Sequence, residues 1–121
     1  MAAPNIVNVT SITGKTDVQS VGTSATAITT NSSASDKVYK VNSLIISNVD
    51  GVNDADITAD LFRSSVAYHI AKTVVVPADA TLILIAKENP IYLEEGDALR
   101  LTASVASDLQ ALCSYEIIDD A

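Results

Sequence analysis

The chain has 121 residues, 48% of them hydrophobic and 4% aromatic, with 15 acidic against 7 basic side chains and a net charge of −8. That length is one domain, within the usual range of roughly 100–150 residues, and the hydrophobic share is too high for a disordered chain. The charge argues against a nucleic-acid partner, which takes a basic footprint to displace counterions from phosphates, and against docking on an anionic membrane.

Residues 1–15 read as an extended N-terminal arm or edge strand, and residues 16–121 as a single β-sandwich domain. The first 35 residues contain no Leu and no aromatic side chain, only scattered apolar anchors such as Ile6, Val7, Val9 and Ile12. Their Val, Ile and Thr content favours an extended backbone. Met-Ala-Ala-Pro-Asn carries neither a basic start nor an apolar stretch, so a secretory leader is not expected. Thr23–Ser35 predicts one strand running into a loop.

Lys37–Val49 holds the cluster Leu44-Ile45-Ile46, which predicts a strand buried on both faces. Asn48–Asp54 follows with turn chemistry centred on Asp50-Gly51, the signature of a hairpin. In Asp56–Arg63, Ile57, Ala59 and Leu61 alternate with Asp56, Thr58 and Asp60, as a half-buried antiparallel strand requires. Val66–Ala71 and Lys72–Val76 predict two more strands, the second stopped by Pro77, which donates no ladder hydrogen bond. Thr81–Ala86 is again strand-like, and Asn89-Pro90 is a turn.

Ile91–Leu93 runs into Glu94-Glu95-Gly96-Asp97, a tight turn in which Gly96 is free to take a positive φ. Leu99, Leu101, Ala103 and Val105 then alternate with Arg100, Thr102 and Ser104, and Leu109, Ala111, Cys113, Tyr115 and Ile117 share one face of a last strand. Turn signals about every 8–12 residues, with no convincing helical period, predict an all-β fold of about eight strands. The expected architecture is an antiparallel, jelly-roll-like β-sandwich.

No residue pattern demands catalysis, a cofactor or a metal. His69 is the one histidine and has no recognisable nucleophile or orienting partner nearby in sequence, so it reads as a partly exposed strand residue. Cys113, the single cysteine, sits at a core-facing position without a basic neighbour to lower its pKa and reads as a small hydrophobe. Asp50, Asp54 and Asp56 offer oxygen ligands of the kind Ca²⁺ takes, but Gly51 comes too early for an EF-hand and no glutamate closes the loop. A solvated hairpin turn is the plainer reading. Glu94, Glu95 and Asp97 likewise read as a solvated turn, and the four isolated glycines make no phosphate loop. These residues lead us to expect a protein that is not an enzyme.

One resemblance extends over nearly the whole chain. Ala3 to Thr16, Val41 to Asn48, Pro77 to Leu82, Ile91 to Leu101 and the closing Ser114-Tyr115-Glu116 resemble small virion structural proteins of tailed bacteriophages, particularly phages of marine and freshwater cyanobacteria. The resemblance implies a structural subunit with no catalytic residues to carry over. Within it, a capsid decoration (cement) protein is one expectation: it sits on the outer surface of the assembled head, across joints between major capsid subunits, often as a homotrimer. The alternative is a neck or tail component. For a decoration protein the arm, residues 1–15, is expected to act as a contact element by adding a strand to a neighbour's sheet edge.

Overall fold

A computed structural model describes residues 9–119 of the chain. They form nine strands and no helix: β1 (Ser11–Ser20), β2 (Thr26–Thr30), β3 (Lys37–Asn48), β4 (Ala55–Arg63), β5 (Val66–Val76), β6 (Thr81–Ile85), β7 (Ile91–Leu93), β8 (Ala98–Ala103) and β9 (Leu109–Asp119). One sheet, called A, runs β1-β9-β3, with β6 and β7 both pairing the far side of β3, β6 against its C-terminal half and β7 against its N-terminal half. Sheet B runs β2-β8-β4-β5. Every pairing is antiparallel. Apart from the β4–β5 and β6–β7 connections, each connection carries the chain from one sheet to the other.

The core between the sheets is aliphatic. Val41, Leu44 and Ile46 of β3 and Ala111 and Cys113 of β9 meet Ile57 and Ala59 of β4 and Leu99 and Leu101 of β8, all buried. The alternation expected for the fourth and eighth strands therefore holds through Ile57, Ala59, Leu99, Leu101 and Ala103. Val105 departs from it: β8 ends at Ala103, and Val105 lies exposed in the following turn.

Three further expectations change. The β3 strand is buried on one face only: Leu44 and Ile46 point into the core while Ile45 stays half-exposed on the outside. Its apolar run reflects an apolar outer surface rather than a second covering layer. Val66–Val76 is one strand rather than two, broken in register at Ile70 and at Lys72–Thr73, where Thr73 takes φ 47° and its N–H donates to Thr58 Oγ1 (3.0 Å). The Asn48–Asp54 turn is not a hairpin, because β3 and β4 belong to different sheets; it carries the chain across the end of the sandwich. The tight hairpin joins β4 and β5, where Ser64 and Ser65 both take positive φ (52° and 63°), as a two-residue turn with the right twist needs.

Of the expected arm, residues 1–8 lie outside the described residues, while residues 11–15 belong to β1. That strand is the edge of sheet A and pairs β9 from Ser11–Asp119 to Ser20–Gln110.

Candidate functional site

Two buried asparagines clip the sheets together at opposite ends. Asn31, just past β2, donates its side-chain amide to the carbonyls of Lys37 and Leu93 in sheet A (both 2.9 Å), and its Oδ1 accepts from Ser35 Oγ. Asn48, the last residue of β3, donates to the carbonyls of Asn53 (3.0 Å) and of Val76 in sheet B (2.9 Å), and its Oδ1 accepts from the Asp50 N–H. Neither residue is free to act on a ligand. In sequence both look like ordinary turn residues, since burial is the only signal that sets them apart.

The carboxylates weighed as candidate chemistry are likewise committed to the fold. Asp97 is 1% exposed, and Arg63 grips it with Nε on Oδ1 (2.8 Å) and Nη2 on Oδ2 (2.5 Å), while the Glu94 N–H donates to Oδ2 (2.8 Å). Arg63 also reaches Glu94 (3.1 Å), and Asp97, chiefly by hydrogen bonding, raises the Arg63 pKa. Gly96 takes φ 86°, as expected of this turn, and its N–H donates to the Asn31 carbonyl (2.8 Å). Glu95 accepts from the Asp36 N–H (3.0 Å). Glu94 and Asp97 thus converge on the Arg63 guanidinium, while Glu95 serves the Asp36 backbone. The turn is also less solvated than expected, because Asp97 is buried.

At the other end, Asp50 Oδ1 accepts the N–H groups of Val52 (2.8 Å) and Asn53 (3.2 Å), which lowers its pKa. Asp54 accepts from Ala78 N–H (3.1 Å), and Asp56 is held through its backbone N–H to Ser104 Oγ (2.8 Å). Asp108 is pushed up, first by partial desolvation and then by the charge of Asp50. Among the described residues no group of three or more His, Cys, Asp or Glu side chains is arranged to hold a metal ion.

Cys113 is fully buried between Ala111 and Tyr115, and burial pushes its thiol up to about 11, with Asp17 adding to the shift and a Thr29 hydrogen bond opposing it. A thiol so raised is protonated at neutral pH and is a poor nucleophile. Asp17 Oδ2 accepts from Tyr115 Oη (2.9 Å) and Thr29 Oγ1 (3.1 Å), tying β1, β2 and β9 together. Tyr115 also stacks on Tyr39, ring centres 5.3 Å apart. His69 lies exposed on β5, opposite Asp60 in register.

The features left over are surfaces. On the outside of sheet A, the register lines up Val18 of β1, Leu112 of β9, Ile45 of β3 and Ile83 of β6 in one row across four strands. Val18 is 73%, Ile83 61% and Leu112 41% exposed. The flanking rows are hydroxyl and amide groups: Thr16, Ser114 and Ser43 on one side, Ser20, Gln110, Ser47 and Thr81 on the other. The next row pairs Glu116 with Lys40. A shallow recess of about 260 Å³ opens at the β1 end of the row, lined by Val18, Ser20, Gln110 and Leu112 among others. A second apolar surface lies on β5, the edge of sheet B, where Val66, Tyr68 and Val75 are exposed.

No protein-family model matches the chain, and no curated protein matches it significantly. Among solved structures, a protein from work describing Bacillus endospore appendages as a novel family of disulfide-linked pili is similar over 92% of this chain and 88% of its own. The TM-score is 0.55 and the sequence identity 12%. At that identity the likeness is one of fold. It places the chain among all-β proteins built of two antiparallel sheets. The disulfide linkage named for that neighbour finds no accessible thiol among the described residues here, since Cys113 is buried.

Proposed function

We propose that the chain is a non-enzymatic structural subunit of a large protein assembly, and more specifically a capsid decoration protein of a tailed bacteriophage. The observation that carries the reading is the pair of exposed apolar surfaces, the row across sheet A and the β5 edge of sheet B, on a body whose turn carboxylates Asp50, Asp54, Glu95 and Asp97 are engaged by its own backbone and Arg63. A subunit that works by surface complementarity needs more than one such face; an enzyme needs convergent polar groups in a pocket. The strand order, with β6 and β7 sharing one place beside β3, supports reading the sandwich as a jelly roll. The likeness in fold to a protein described in connection with pili supports a structural role in general.

The decoration reading rests on the resemblance of Ala3–Thr16 and the later segments to phage virion proteins. It carries the major capsid protein as partner, the virion surface as location, a homo-oligomer, and a stabilising effect by mass action on the assembled head. Among the described residues β1, which includes residues 11–15 of the arm, pairs β9 alone, and its outer edge supports strand addition with a neighbour's sheet. The test is addition of the purified chain to heads that lack it. Saturable binding with a raised head melting temperature is the expected result. Heads that neither bind the chain nor melt later would sink the decoration reading and turn attention to the neck or tail.

A further inference from the structure

We infer that the outer face of sheet A is a self-association surface, on which a second copy of this chain packs sheet to sheet about a twofold axis. The inference builds on the structural-subunit reading above and assigns one of its two apolar surfaces; the β5 edge stays available for a different partner.

Charge selects the occupant. The chain carries −8 overall, so two copies repel each other through most of their surfaces. The three central rows of this face, from Thr16 to Thr81, contain no ionised side chain, and the row beyond Thr16 pairs Glu116 with Lys40. Carboxylates gather past the opposite end, where Asp50, Asp79 and Asp108 lie in adjoining loops. Over the central rows two acidic copies meet without setting carboxylate against carboxylate. Its composition is also self-compatible. An isologous contact must match itself, and hydroxyl groups both donate and accept, so Ser and Thr rows on one copy can bond the same rows on the other.

Shape then fixes the arrangement. The apolar row has a recess at its β1 end, beside Val18 and Leu112, and a projecting Ile83 at its β6 end. A twofold axis running along the strands, between β9 and β3, reverses the row left to right. Each Ile83 then meets the other copy's recess, and each Ile45 meets the other copy's Leu112. Face-to-face sheets pack in this way about 10 Å apart with their strands roughly 30° from parallel. With β1, β9 and β3 of 10, 11 and 12 residues and β6 of 5, strands about 4.8 Å apart present roughly 600 Å² per copy. Two copies cover about 1,200 Å², the lower bound for a specific, stable interface.

The test is the solution mass of the purified full chain, by sedimentation equilibrium near 100 µM, alongside Leu112→Asp. A dimer for the natural chain, and association at least about tenfold weaker for Leu112→Asp with an unchanged circular dichroism spectrum, is the expected pair of results. A monomeric natural chain overturns the inference, and so does a trimer, which would instead fit the decoration reading. Cysteine pairing tests the geometry without relying on a disruptive variant, because the buried Cys113 stays out of reach. Mild oxidation of Ile83→Cys mixed with Val18→Cys is expected to give a cross-linked dimer, and neither variant alone should do so. Rapid cross-linking of Val18→Cys with itself contradicts the proposed axis. Loss of head binding by a chain that still dimerises would instead count against the particle reading alone.

Discussion

The outer faces of the two sheets are finished differently. On sheet B, Asp60 of β4 is only 3% exposed although it points away from the core. Arg100, its cross-strand neighbour on β8, donates Nε to Oδ1 (2.9 Å) and Nη2 to Oδ2 (3.3 Å), and its guanidinium lies 3.9 Å from the centre of the Phe62 ring. A carboxylate, a guanidinium and an aromatic ring thus form a closed layer on the middle strands. Among the described residues sheet A has no such layer over its middle: Leu112 and Ile45 occupy the central strands, and Val18 and Ile83 are exposed at either end of the row. A face that is satisfied within the chain contributes to stability, whereas an apolar face left open is where the proposed second copy would pack.

The largest expected effect comes from breaking the closed face. Arg100→Ala leaves Asp60 buried without its counter-ion, which is expected to cost about 3 kcal/mol in urea unfolding. A cost below about 1 kcal/mol would mean that the layer on sheet B is ornamental. The clips between the sheets come next. Asn48→Ala strips the Asn53 and Val76 carbonyls of their amide donor, for an expected loss of about 2 kcal/mol. Asn31→Ala should match it at the other end of the sandwich, and the two losses should add, because the sites share no partner.

A smaller effect follows from the buried thiol. Cys113 rises from 9.0 to about 11 in the folded state, so its protonated form is the one that folding favours. Its contribution is fully present below pH 9 and fades as the pH climbs towards 11. The natural chain should therefore lose more melting temperature across that interval than Cys113→Ala does. In the same state an aromatic disulfide reagent at neutral pH should label Cys113 only after unfolding.

The smallest effect on stability belongs to the open face. Leu112→Ser and Val18→Ser should each change the unfolding free energy of the isolated chain by under about 0.5 kcal/mol. A large destabilisation would show that the row is already covered by the chain itself.

Much of this was legible in the chain, for physical reasons that differ by place. Period-two alternation exposed β4, β8 and the last strand, because each has one face on an aliphatic core. The positive φ of Gly96 followed from a four-residue turn with no room for anything wider. Leu44-Ile45-Ile46 misled because an apolar run means burial on both faces or an apolar outer surface, and only the neighbouring strands decide between them. Ser64, Ser65 and Thr73 bend the backbone at positive φ without the Gly or Asn that usually announces it. Asn31 and Asn48 are hidden for a related reason: a buried amide that clips two sheets and a solvated amide in a turn are the same letter. The open row could not be read at all before the register brought Val18, Leu112, Ile45 and Ile83, scattered over the sequence, onto one line.

The proposed role, a structural subunit on the head of a virus particle, is tested most directly by the copy number of the chain relative to the major capsid protein in purified virions, repeated on separated heads and tails. A near-stoichiometric amount retained on the heads is the result expected here. A few copies travelling with the tails, or none in the particle, would contradict it.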